Sequence, residues 1–159
     1  MTSKNRSGSI REEKGLSEEL PEWSLLDFEK DIELGDIIGG GGVGVIYRGW
    51  FRGEEVALKA LFDPRVDEKL KQEYLDELLV MSKLKHSNIV EFLGACMTPP
   101  NLCFVMEVCE DSLYQLLHVK RVEFTEKETL QMALDIASAM EYLHAQRPCI
   151  IHRDLKTHN

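Results

Sequence analysis

The last six residues of the chain hold a carboxylate, an ammonium and a carboxamide: Asp154, Lys156 and Asn159, within His152-Arg153-Asp154-Leu155-Lys156-Thr157-His158-Asn159. Far upstream, Gly39, Gly41 and Gly44 satisfy G-x-G-x-x-G, and Lys59 closes the run Val56-Ala57-Leu58-Lys59. These residue types suit transfer of a phosphoryl group from a nucleotide to a hydroxyl. A carboxylate can accept a proton, and lysine offsets phosphate charge. A bare glycine backbone can lay N–H groups over phosphate oxygens.

The surrounding pattern decides how each is read. A glycine-rich loop also suits a dinucleotide fold, but that fold needs a helix straight after the glycines. Here Val45-Ile46-Tyr47 follows, a β-branched and aromatic strand, so the loop is a strand–glycine–strand hairpin. Side chains alternate across a strand. Ala57 and Lys59 therefore share one face of theirs: the small residue leaves room for a flat base, and the cation reaches its phosphates. Ile46 on the preceding strand can roof the same base. Glu77 lies on the apolar face of a helix with Tyr74, Leu78 and Met81. A charge there is costly unless paired, and Lys59 is the obvious partner.

The elements that must position these groups follow from periodicity. Residues 32–34, 45–47 and 56–61 read as an antiparallel meander, with a turn at Arg52-Gly53-Glu54. Leu70, Tyr74, Leu78, Met81 and Leu84 mark a helix that ends near Lys85-His86-Ser87-Asn88. Ile89–Cys96 and Leu102–Val108 are two more strands, joined by a turn with Pro99-Pro100-Asn101. A short helix is expected over Ser112–His118. A longer one starts at Thr125, where Thr125 and Glu128 form a capping box. Its apolar stripe is Leu130, Ala133, Leu134, Ala137 and Met140. A five-stranded sheet with one helix, followed by helices, is an α+β pattern. Residues 1–22 are polar and charged and are expected to be a disordered tail, with order beginning near Trp23.

Composition narrows the class. At 159 residues, with 43% hydrophobic and 30% charged residues, the chain fits one soluble domain. A net charge of −9 argues against a general nucleic-acid or anionic-membrane binder. Cys96, Cys103, Cys109 and Cys149 lack CxxC or zinc-ligand spacing. Each sits in or beside an apolar run and reads as a buried thiol, which places the chain in a reducing, cytoplasmic compartment. No apolar stretch approaches membrane-spanning length, and the N-terminus has no secretory core.

Taken in order over residues 32–159, these motifs resemble the first part of a eukaryotic protein kinase domain. Within that superfamily the chain looks like the tyrosine-kinase-like group, near Raf-like and mixed-lineage kinases. Tyr47-Arg48-Gly49-Trp50, Lys85-His86-Ser87-Asn88-Ile89-Val90 and Ala133-Leu134-Asp135-Ile136-Ala137 carry that likeness. Lys156 is the serine/threonine-kinase form of the catalytic loop. The resemblance implies a complete small lobe over about residues 32–106, a hinge at 107–111, and the helical start of a large lobe at 112–159. It implies ATP and Mg2+ as cofactors and a protein substrate as partner. Asp154 would accept or steer the hydroxyl proton, Lys156 would neutralise the moving phosphoryl group, and Asn159 would hold magnesium. Lys59 and Glu77 would form the pair that positions ATP phosphates. Ile38, Gly39, Gly41, Gly44, Ile46, Ala57, Lys59, Met106, Glu107 and Cys109 would line the nucleotide. Met106 would stand at the back of the pocket, and backbone groups near Glu107 and Cys109 would meet the adenine edge.

Two departures from the kinase pattern stand out. Val43 occupies the loop tip where many kinases carry an aromatic, and the hinge looks about one residue short. The resemblance also implies a D-F-G aspartate, an activation loop and an A-P-E beyond Asn159. The 159-residue chain alone is therefore expected to phosphorylate substrates poorly and to associate with a partner through an exposed helix stripe. The competing expectation is a non-catalytic, truncated or pseudokinase-like regulator that binds a partner kinase or scaffold.

Overall fold

The computed structural model describes residue 20 and residues 22–40, 44–61, 68–98 and 100–159. The expectations for Gly41, Val43, Pro99 and most of the N-terminal tail lie outside the described residues. The chain divides into two compact units. The first runs through Leu84 and resumes at Glu91–Val108; the second comprises Lys85–Val90 and Cys109–Asn159.

In the first unit a short helix α1 (Phe28–Asp31) leads into strands β1 (Ile32–Gly40), β2 (Val45–Phe51) and β3 (Glu54–Leu61). Helix α2 (Glu68–Lys83), β4 (Phe92–Cys96) and β5 (Leu102–Glu107) follow. The five strands form one antiparallel sheet in the order β1-β2-β3-β5-β4. Asp27 caps α1 by accepting from the N–H groups of Glu29 and Lys30. The β2–β3 hairpin closes through Arg52 and Gly53, both at positive φ. That conformation matches the right-handed twist of the flanking strands and suits glycine at the second site.

Alternation along β3 separates two cores. Val56, Leu58 and Ala60 face one side, with Phe51, Val105, Cys96 and Cys103. Leu26, Phe28, Ile32 and Tyr47 pack against that layer. On the other side α2 lays Tyr74, Leu75 and Leu78 against Phe92, Ala95, Leu102 and Phe104. Burying such a side chain is worth about 1.5–3 kcal/mol, so this face holds α2 in register against the sheet. Leu20 joins the same core.

In the second unit Leu113 and Tyr114 begin a helical turn that widens to a π-helix at Gln115–Val119, where a plain short helix was expected. The Lys120 N–H reaches back five residues to the Gln115 carbonyl. Helix α3 (Glu126–Ala145) starts at a complete capping box formed by Thr125 and Glu128. Its buried side chains are Ala139 and Leu143, whereas Leu130 and Leu134 are exposed. Lys85–Val90 belongs here because the Tyr142 hydroxyl accepts from the Lys85 N–H and the His86 ring packs on Tyr142.

Cys96 and Cys103 are buried, as the apolar runs around them suggested. Cys109 and Cys149 are exposed, which corrects the expectation for them. Both follow the regular elements rather than lying within them, so no strand or helix carries them into a core.

Candidate functional site

The chemistry-bearing residues fall into two groups, one in each unit. In the first unit, register brings the groups of three strands onto one face. Lys59 stands opposite Ile46 of β2 and Phe104 of β5, and Ala57 opposite Met106. This is the α2 face of the sheet, so the Lys59 side chain rises toward the helix. Its Nζ donates to Glu77 Oε2 and lies 5.5 Å from the centre of the Phe104 ring. Lys59 is 17% exposed and Glu77 43%. Glu77 therefore lies at the margin of the apolar face rather than within it, and its charge is both solvated and paired.

The Tyr74 hydroxyl donates to the backbone carbonyl of Lys59 at 2.9 Å. Burial first, then neighbouring thiols and the Glu77 carboxylate, pushes that phenol well above its usual range. It stays a donor, tying helix and strand together one turn from Glu77. In the sequence Tyr74 reads only as part of the apolar stripe. Nothing local shows where its hydroxyl goes.

Gly39 pairs with Ile46, and a register shift sets Ile38 out of the ladder between Ile37 and Gly39. Ile38 is exposed. Gly44 has φ +88°, and a Cβ there would lie 2.7 Å from the Ala60 carbonyl oxygen. Only glycine meets both conditions. The loop's return strand can thus run close against β3, beside Lys59. At the end of β5 the Glu107 N–H donates to the Glu91 carbonyl at 3.0 Å. Its carboxylate accepts from the Glu91 N–H at 3.1 Å. The Glu107 amide hydrogen is therefore committed within the sheet and is not the group that would meet a base edge. Met106 packs half-buried against the α2 core.

In the second unit, Asp154 and Lys156 form an ion pair at 2.8 Å. The Asn159 amide donates to the Asp154 carbonyl at 2.8 Å and to its carboxylate at 2.9 Å. Lys156 first, then Asn159, holds the Asp154 carboxyl below its usual range. Arg153 adopts φ +65°, which turns the chain sharply before Asp154. The Asp154 N–H bonds back to the His152 carbonyl at 2.9 Å. The result is a tight exposed loop whose ionised carboxylate is flanked by one cation and one amide. Cys109, also in this unit, is exposed.

A loop of this kind can accept a proton from a hydroxyl, and an ammonium paired on a glycine-rich sheet can hold phosphate oxygens. The family described as protein kinase domain matches residues 32–159. The chain is 44% identical over 131 residues to the probable serine/threonine-protein kinase SIS8 of Arabidopsis thaliana, covering 82% of the chain and 13% of that protein. It is 41% identical to the serine/threonine-protein kinase CTR1 of the same plant, covering 81% of the chain and 16% of that protein. The probable serine/threonine-protein kinase drkA of Dictyostelium discoideum is 34% identical, over 96% of the chain and 24% of its own length. The chain belongs to the protein kinase domain family. It spans a quarter or less of the length of these curated relatives.

Proposed function

We propose that the chain is the nucleotide-clamping and catalytic-loop part of a serine/threonine protein kinase that moves the γ-phosphate of ATP to a protein hydroxyl. The observation that carries this is the Lys59–Glu77 ion pair, formed on the sheet face that also presents Ala57, Ile46 and the glycine hairpin. An ammonium held by a carboxylate is pre-aimed, so phosphate meets a fixed cation and no ordering cost is left for the reaction step.

In this reading Gly39, Gly41 and Gly44 offer backbone N–H groups to the phosphates. Ile38, Ile46, Ala57 and Met106 bracket the base, and the chain near Glu107 and Cys109 meets its edge. The substrate oxygen attacks the γ-phosphorus as the bond to the β,γ-bridging oxygen breaks, and ADP leaves. The hydroxyl proton goes to the Asp154 carboxylate, which its neighbours keep ionised and ready to receive it. Lys156 offsets charge on the moving phosphoryl group.

The donor set also fits magnesium. Among the described residues no group of three or more His, Cys, Asp or Glu could hold a metal. Magnesium, however, commonly takes only one or two protein oxygens, with phosphates and water supplying the rest. The Asn159 amide nitrogen faces Asp154, which leaves its carbonyl oxygen available for such a role. Magnesium bound there would offset phosphate charge.

Among the described residues no helix is long and apolar enough to cross a membrane. Cys96 and Cys103 face each other across β4 and β5 as thiols, which supports a reducing, cytoplasmic setting.

The test is phosphate transfer from labelled ATP to a peptide library by the full-length protein. Lys59→Met and Asp154→Asn should each lower the rate by roughly 10²–10⁴-fold. Transfer that survives both substitutions sinks the reading. A second reading, a regulator that binds a partner kinase without catalysis, is favoured by the exposed Leu130 and Leu134 on α3 (62% and 55%). It would be selected by a protein that captures a kinase and transfers no phosphate, with wild type and Lys59→Met alike.

A further inference from the structure

Tyr114 lies in the first turn of the helical stretch that widens to π spacing. The first N–H groups of a helical turn find no partner inside it. The Ser112 hydroxyl accepts that of Gln115 at 3.2 Å. The N–H of Tyr114 goes instead to the Thr157 carbonyl at 2.7 Å. Its ring stacks on His158, with centroids 3.8 Å apart and planes inclined by 21°. The same ring touches His118 at 4.7 Å, four residues on and so on the same helical face. One residue therefore grips two consecutive residues of the catalytic loop, one by its backbone and one by its ring.

The next residue is Asn159, whose amide holds both the carbonyl and the carboxylate of Asp154. At the loop's upstream end the Ile150 N–H is tied to the Leu143 carbonyl of α3 at 3.1 Å. Between these two ties, the bonds of His152, Asp154, Lys156 and Asn159 run within the loop. An exposed loop anchored at two points loses its geometry when either is cut.

We infer that Tyr114 is a positioning residue: by stacking on His158 and bonding to Thr157 it fixes Asn159, and through Asn159 the Asp154 carboxylate. Its effect on rate rests on the phosphotransfer reading above; its effect on loop geometry does not. A carboxylate displaced by even an ångström meets the hydroxyl poorly.

The experiment uses the full-length protein. Tyr114→Leu keeps the backbone N–H and removes the ring, Tyr114→Phe keeps the ring, and His158→Ala removes the ring from the exposed side. Tyr114→Leu and His158→Ala should lower kcat for peptide phosphorylation roughly tenfold or more. The KM for ATP should stay within about twofold, and Tyr114→Phe should restore the rate. Hydrogen exchange of residues 151–159 should quicken roughly tenfold in Tyr114→Leu, with β3 unchanged. Wild-type kcat and exchange in Tyr114→Leu would overturn the inference. So would a Tyr114→Phe variant as impaired as Tyr114→Leu. If Tyr114→Leu unprotects β3 as well, His158→Ala decides, and unaltered loop exchange there overturns the inference. If the wild-type protein transfers no phosphate, the functional reading fails, and loop exchange alone decides the role of Tyr114.

Discussion

Tyr74 shows what a single residue carries beyond its hydrophobicity. Its ring fills the core against Phe104, at a centroid distance of 5.4 Å, while its hydroxyl holds the Lys59 carbonyl. Tyr74→Phe keeps the ring and removes that hydrogen bond. It should cost about 1 kcal/mol, read as a lower urea midpoint at unchanged m-value; an unshifted midpoint would remove the tie from the account. Asp154 is legible in the sequence as a carboxylate next to lysine, and its depressed pKa follows from that pairing. The interaction is present above the unfolded-state pKa and is lost as pH falls through the lower folded value. Activity that needs the carboxylate should therefore hold through mildly acidic pH and fail only below the ordinary carboxylate range. Lys156→Met should raise the Asp154 titration toward its ordinary value, which carbon-detected NMR would follow. A titration that does not move would assign the depression to Asn159 alone. The Tyr74 hydroxyl and the Tyr114 ring were not legible, because their partners lie 15 and 44 residues away along the chain.

At the scale of elements, the strands, α2 and α3 follow from alternation, three-and-four spacing and the Thr125–Glu128 cap. Local chemistry alone determines those. The π-helix at Gln115–Val119 did not follow, since no residue type marks the change of spacing. Nor did the buried side of α3. Leu130 and Leu134 of the apolar stripe are exposed, as expected, but Ala139 and Leu143, the residues covered, lie outside that stripe. The cap itself is testable. The Thr125 backbone N–H, then its hydroxyl, holds the Glu128 carboxyl below its usual range. The reciprocal bond is thus present above the ordinary glutamate pKa and lost as pH falls through the folded value. Thr125→Ala should cost about 1 kcal/mol at neutral pH, and the gap to wild type should narrow as acid protonates Glu128. Thermal melts across pH would show it, and a gap constant with pH would count against the hydroxyl's bond to the Glu128 carboxylate. In the glycine hairpin, Gly44→Ala must place a Cβ at positive φ against the Ala60 carbonyl. It should cost about 1–2 kcal/mol and weaken ATP binding by calorimetry; unchanged stability would mean that β2 simply moves away.

For the whole molecule, the fold class and the order of elements were legible, and the grouping of Lys85–Val90 was not. Read locally, Lys85-His86-Ser87-Asn88 only ends α2. Its membership of the second unit depends on Tyr142 and Ser138, 57 and 52 residues further along. Tyr142→Phe should remove the acceptor of the Lys85 N–H, speed exchange at that amide and cost about 1 kcal/mol. Unaltered exchange at Lys85 would show that another group anchors the segment. The same grouping has a practical bearing on dissection. The chain passes between units after Leu84, after Val90 and after Val108, so neither unit is a continuous length of sequence. A fragment cut at Val108 would carry Lys85–Val90 away from its partners on α3 and leave a six-residue strip with nothing to fold against. Expressing the sheet unit cleanly calls for a short artificial link from Leu84 to Glu91, not a stop codon.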